Sequence, residues 1–322
     1  MRYKIFTGIL LSAAALPTLA HAQARKELPN GTGDGFARFF TDGFGQSTKD
    51  SNVPEGTIFD PLGATFGPVE AQWRREVVLR DQGTNQAQVL GSLSGCDLPT
   101  GKSPTLTAVT SDTFVGPDNR VRRTSFESGL PGIKVELDQF ASCAKLTQRY
   151  RLINTSGAAK TIRAFAFDDV DLNFANPLTA DFGFFQGETA AIGESAEPGA
   201  VRSTISLTGG TRIGRRTFAV GGNGGAALDS GGFISTPGGY SAANMGMFIY
   251  SGNGTIQDPA NHAANDANNN NASDMAADTA SSILQEFVIA GGASAEFTLE
   301  QALTPSSCDL VANAGMDINS CR

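Results

Sequence analysis

Asp169 and Asp171 stand two apart at the close of the Phe-rich run 161–171, and Asn173, Asn176 and Asp181 follow within a dozen residues. In a strand, residues two apart share a face, so the two aspartates would present their carboxylates together. A hard cation takes six to eight oxygen ligands from such groups, which makes Asp169, Asp171 and Asp181 the expected ligands of a calcium ion. The same side chains also serve as turn caps, and spacing alone leaves both readings open. Carboxylates could act catalytically as well. A glycoside hydrolase needs only two, one protonated and one ionised, at a fixed separation. Asp168, Asp169, Asp171, Glu70, Glu127 and Glu136 are available, and their order along the chain does not say which meet in space.

Nucleophile motifs are incomplete. Asp229-Ser230-Gly231-Gly232 resembles the nucleophile segment of chymotrypsin-like serine proteases, but the histidine that must precede it is only His21. Gly193-Glu194-Ser195 resembles a nucleophile elbow, yet Glu197 takes the place of its last glycine and no βαβ alternation surrounds it. Gly101-Lys102-Ser103 ends like a phosphate-binding loop whose first glycine is replaced by Cys96. The remaining histidine, His262, lies in an Asn-rich polar segment and reads as a solvated side chain. Asp266 to Asn271 resembles the start of an EF-hand loop, with Asn271 where glycine belongs and Ala277 where a bidentate glutamate belongs. These features argue against an enzyme without deciding the matter.

Location is better specified. Arg2 and Lys4, the apolar run from Ile5 to Leu16, Pro17 and Ala20-His21-Ala22 have the three parts of a secretory signal, so a mature start at Gln23 is expected. The apolar run is shorter than the roughly 20 residues that span a bilayer, and no later run is longer, so no membrane span is expected. The expected destination is the periplasm, the cell surface or the extracellular medium. Losing Arg2 and Lys4 takes the formal charge from −8 to −10. That balance opposes nucleic acid as a partner. Arg74-Arg75, Arg122-Arg123 and Arg215-Arg216 are scattered and read as solvated strand faces. Four cysteines, Cys96, Cys143, Cys308 and Cys321, in an oxidising compartment favour two disulfides. Three connectivities are open, and proximity suggests Cys96–Cys143 and Cys308–Cys321.

Whatever these residues do, strands must position them. Leu146, Tyr150 and Leu152 alternate with Thr147, Arg149 and Arg151, and Val201, Ser203, Ile205 and Leu207 alternate with Arg202, Thr204 and Ser206. Further strands are expected at 73–80, 106–115, 121–126, 133–137, 161–170, 212–220 and 245–250. Gly291-Gly292-Ala293 should join strands 283–289 and 295–303 as a hairpin. With 38 glycines, 14 prolines and no sustained helical period, the chain is expected to be all-β, an antiparallel β-sandwich with Gly-rich loops. Residues 1–22 form the signal, and 23–68 an irregular N-terminal arm tacked down by Phe36, Phe39, Phe40, Phe44, Phe59 and Phe66. Residues 69–304 form the sandwich, and 305–322 a tail clipped by a disulfide.

The run from Leu146 to Gly157 resembles the strand and Asn-Thr-Ser-Gly turn of exported bacterial β-sandwich proteins. Phe167-Asp168-Asp169-Val170-Asp171 and the segment 291–295 suit the same group. Val311 to Asp317 is similar to the opening of PKD-type immunoglobulin-like domains, with Met316 where that family has proline. Either that motif is accidental or it belongs to a longer multidomain protein. The resemblance implies a sandwich and no activity. The functional expectation is a secreted or cell-surface protein with a structural or recognition role toward an unknown surface or carbohydrate ligand. The alternative is a carbohydrate-active hydrolase with paired carboxylates.

Overall fold

A computed structural model describes residues 25–29, 37–48, 56–59, 69–70, 72–84, 86–91, 109–170, 172, 182–186, 189–193, 202–209, 216–222, 261–263 and 279–304. These form an all-β, antiparallel sandwich of two large sheets with a small N-terminal sheet. The small sheet has the order β1 (Lys26–Glu27), β2 (Ala37–Thr41), β4 (Thr57–Phe59), β5 (Val69–Glu70). The eight-stranded sheet runs β13 (Phe182–Gln186), β14 (Thr189–Gly193), β15 (Arg202–Gly209), β19 (Ser294–Thr304), β11 (Lys145–Asn154), β10 (Ile133–Ser142), β9 (Val121–Glu127), β8 (Val109–Val115). Facing it is a sheet ordered β17 (Asn261–Ala263), β16 (Arg216–Gly222), β18 (Thr279–Ile289), β12 (Lys160–Val170), β6 (Gln72–Asp81), β3 (Ser47–Thr48), with β7 (Gln86–Leu90) also pairing β6. Among the described residues only β16 and β17 pair in parallel.

Period-two patterning explains the layers. In β10, Ile133, Val135, Leu137, Gln139 and Ala141 are buried while the residues between them are partly exposed, and β19 repeats the pattern with Ala295, Phe297, Leu299, Gln301 and Leu303. The inner faces meet in one core, where Phe297 stacks on Tyr150 at 4.8 Å and on Phe287 at 5.6 Å. Leu28, Phe39 and Phe59 of the arm pack with Ala141, Leu146, Val170, Ile192 and Leu303 in a second apolar cluster. The arm is thus docked through its phenylalanines.

The turn at Gly291 and Gly292 differs from the expected hairpin, because β18 and β19 belong to opposite sheets. Each strand has one apolar face, and those faces bury against each other, as Phe287 and Phe297 do, only if the strands stack across the core. The crossing from β11 to β12 lies beside it. Buried Asn154 accepts from Ser156 N at 3.0 Å and donates through Nδ2 to the carbonyls of Ala158 and Ile289, while Gly292 N donates to the Asn154 carbonyl. A Cβ on Gly291 would lie 2.5 Å from the Gly157 backbone, so the two crossings touch main chain to main chain. Gly291→Ala should therefore cost about 1–3 kcal/mol, read as a lower urea midpoint. A neutral substitution there would refute this packing.

Cys143 stands at φ 52 in the two-residue turn between β10 and β11 and is disulfide-bonded. Its partner is one of Cys96, Cys308 and Cys321, all of which lie outside the described residues.

Candidate functional site

Two polar arrangements stand out, one inside the sandwich and one on its outer face. The inner one begins with the arm. Residues 42–46 form a buried loop whose amides and carbonyls need partners. Asp42 Oδ1 accepts from Phe44 N and Gln46 N, both at 2.9 Å. The eight-stranded sheet supplies donors to three carbonyls: Arg122 Nη1 to Thr41 at 2.5 Å, Gln139 Nε2 to Asp42 at 3.0 Å and Gln148 Nε2 to Gly45 at 2.7 Å. On the other side, Gln46 Nε2 donates to Glu76 Oε2 at 3.2 Å. The guanidinium of Arg122 is itself held side-on by Asp112, through Nε at 2.9 Å and Nη2 at 2.8 Å, and Lys26 Nζ reaches Asp112 Oδ2 at 2.8 Å.

Deeper in, Asp168 of β12 lies opposite Arg75 of β6 and accepts from Ser203 Oγ at 3.3 Å and Gln301 Nε2 at 3.3 Å. Arg75 Nη1 donates to Gln301 Oε1. Burial pulls the Arg75 guanidinium down to about 10, against the pull of Asp168, Tyr150 and Asp42. Burial likewise pushes the Tyr150 phenol up. These groups tie the sheets together, and their ionisable members are nearly sealed from solvent.

This arrangement corrects the reading of the arginine pairs as solvated faces. Neighbours in a strand point to opposite sides, so one member of such a pair must turn inward. Arg75 and Arg122 are 1% and 0% exposed, whereas Arg123 is exposed.

The outer arrangement is a groove of about 630 Å³ on the eight-stranded sheet. Arg123, Glu136, Asp138, Arg149, Arg151 and Glu296 line it, with hydroxyls from Ser111, Ser125 and Thr298 at its margin. Arg123 holds Asp138 side-on through two bonds of 2.7 Å. Arg151 reaches Glu136 at 3.2 Å and Glu296 at 3.6 Å. Arg149 lies over the Phe140 ring, its guanidinium carbon 4.9 Å from the centroid. A second groove, about 680 Å³, lies at the strand ends among the turns near Gly83, Gly132 and Ser156. Lys160 meets Asp81 at its wall, 2.5 Å apart.

Of the carboxylates considered from sequence, Asp168 is inside the sandwich while Glu127 and Glu136 are on the outer side, so Asp168 shares no cleft with them. Glu70 lies in β5, and Asp169 pairs with Arg74 and Ala280. A register shift separates Asp169 from Val170, and β12 ends there. Asp171, Asp181, Ser195, Ser230 and the Asn tract lie outside the described residues. Among the described residues no three His, Cys, Asp or Glu side chains converge as metal ligands, and no helix is long and apolar enough to cross a membrane. His262 is placed in β17, beside Ala219 of β16. Sequence reasoning passed over Asp138, which a period-two reading of 133–142 places on the same face as Glu136.

Acid stability follows from the paired aspartates. Burial opposes ionisation of Asp81, but hydrogen bonds from Lys160 and the amides of Gly83 and Thr84 outweigh it and hold the carboxyl below its ordinary 3.8. Asp112 is likewise opposed by burial and held down by Arg122 and Lys26. A carboxyl depressed in the folded state adds stability that is fully present above its unfolded pKa and is lost as pH falls through the folded one. Stability should hold from neutrality to about pH 5 and then decline. Asp81→Asn should flatten that decline in urea melts between pH 2 and 7, and an unchanged slope would reject the assignment.

No protein-family model and no curated protein sequence matches this chain. Among solved structures, a bacterial glucoamylase complexed with acarbose is similar over 93% of this chain and 38% of its own, with TM-score 0.42 and 9% identity. A polysaccharide lyase is similar over 87% of this chain and 32% of its own, with TM-score 0.35 and 7% identity. The chain thus spans less than two fifths of either, and likeness at this level carries no argument about activity.

Proposed function

We propose that this protein is an exported, non-catalytic β-sandwich with a structural or recognition role at the cell surface, in the periplasm or outside the cell. One observation chiefly supports this reading. The buried groups Arg75, Arg122 and Asp168 and the half-buried Asp112 are engaged in holding the sheets and the arm together, and the groove carboxylates Asp138, Glu136 and Glu296 face arginines. A hydrolase needs one carboxyl free to deliver a proton and another to stabilise charge or activate water. A groove of ion pairs and hydroxyls on a sheet face is better suited to holding a polar ligand than to cleaving one.

The purified protein should retain binding to isolated cell-envelope material or insoluble polysaccharide and release no reducing ends from polysaccharide panels. Release that disappears in Glu136→Gln would overturn this and establish the hydrolase reading.

Calcium at Asp169, Asp171 and Asp181 belongs to the same proposal and rests on ligand chemistry. Saturating calcium should raise the melting temperature by mass action on the folded state, and Asp171→Ala should abolish the rise. Identical melting curves with calcium and with chelator would reject it.

A further inference from the structure

In the outer groove, the charges close locally except at two neighbouring places. Arg123 and Asp138 neutralise each other through paired bonds. Arg151 is shared by Glu136 and Glu296, which leaves that trio with one surplus negative charge. Arg149, two residues along β11 and therefore on the same face about 7 Å away, has no carboxylate within ion-pair distance among the described residues. Its guanidinium is exposed and lies on Phe140, which limits its rotamers before any ligand arrives. A positive fork thus sits beside an acceptor-rich cluster, with Ser111, Ser125 and Thr298 within the same groove.

Resting on the recognition role proposed above, we infer that this groove binds an oligosaccharide bearing a carboxylate, with Arg149 as its anchor. The ligand carboxylate takes the Arg149 fork, since guanidinium and carboxylate match in planar, two-point geometry. Sugar hydroxyls donate to Glu136 and Glu296, which can only accept, and exchange hydrogen bonds with the serine and threonine hydroxyls. A peptide fits less well. The groove lies chiefly over β9, β10, β11 and β19, each paired on both sides, so their main chains offer no free edge for strand addition. The large hydrophobic side chain exposed among the described residues, Val288, belongs to the other sheet. A densely charged polyanion is opposed by the expected net charge of the exported chain, which favours an isolated carboxylate on a neutral sugar scaffold.

The test uses the exported protein and trisaccharides with a terminal uronic acid, each paired with its neutral methyl ester, measured by titration calorimetry. Tripeptides containing glutamate serve as the peptide arm. The acid form should bind at least ten-fold more tightly than the ester. Arg149→Met should remove that difference, and Arg149→Lys should restore part of it. The melting temperature of Arg149→Met should stay within a degree or two of wild type, because no protein ion pair is lost. Equal binding of acid and ester, insensitivity to Arg149→Met, no binding of any acid form, or equal affinity for the acidic tripeptides would each overturn the inference. Acid and ester bound alike, with acid binding left intact by Arg149→Met, would reject the charged anchor while leaving the recognition role standing. Cleavage of the trisaccharides would instead reject that role.

Discussion

Asp112→Ala should destabilise the protein by about 3–5 kcal/mol, because it leaves the fully buried guanidinium of Arg122 without its counter-charge. Both oxygens of Asp112 are engaged, by Arg122 side-on and by Lys26. Once the carboxylate is gone, Arg122 keeps its bond to the Thr41 carbonyl but still holds a positive charge that water cannot reach. Lys26 retains partial exposure, so Lys26→Ala should cost less than about 1 kcal/mol. The contrast is the informative measurement. Urea melts that gave both variants the same small loss would mean that Arg122 is hydrated in solution and that the arm packs less closely than described. Replacing both partners, Asp112→Leu with Arg122→Met, should recover part of the loss, since no buried charge then remains. Recovery should be incomplete, because the Thr41 carbonyl still loses its donor.

Gly45→Ala carries the second large effect. At φ 93 an alanine is strained by about 1–2 kcal/mol before any contact is counted. Its Cβ would also lie 2.3 Å from Tyr150 Oη and 2.8 Å from Gln148 Nε2. Neither neighbour yields easily: Tyr150 is buried and stacked on Phe297, and Gln148 donates to the Gly45 carbonyl itself and to Gln139 Oε1. Adding an overpacking cost of about 1–3 kcal/mol gives a total near 2–5 kcal/mol. For a domain of this size that lowers the melting temperature by roughly 5–15 °C. Tyr150→Phe removes the nearest atom, so adding it to Gly45→Ala should restore part of the stability. A double-mutant cycle without such coupling would place the loop elsewhere.

These two substitutions act where reading along the chain was least informative. Alternation located β6, β8 to β12, β15, β16, β18 and β19, because a half-buried strand must place apolar residues at every second position whatever it packs against. The short strands β13, β14 and β17 carry too few residues for a period to register. In β11 the apolar residues Leu146, Tyr150 and Leu152 mark the inner face correctly, yet Gln148 shares it, and composition gave no reason to place an amide there. Its partner is the Gly45 carbonyl, 103 positions away.

The outer groove was half legible. Arg149 and Arg151 fall on the exposed face of β11 by alternation alone. That Asp138 is held by Arg123 while Arg149 rests on Phe140 depends on register across three strands. A shift of one residue would exchange the faces and dissolve the groove.

By itself, the sequence determined the properties that sum over residues or repeat locally: an acidic, Gly-rich chain with strands of period two and an N-terminal arm whose phenylalanines tack it onto a core. Tertiary structure alone decided which polar side chains went inside. A strand's alternation fixes that Arg122 and Arg123 face opposite ways, but not which of them is buried. That choice follows from Asp112 and the Thr41 carbonyl converging on one side of the sheet, where a charge is tolerated only when its hydrogen bonds are met.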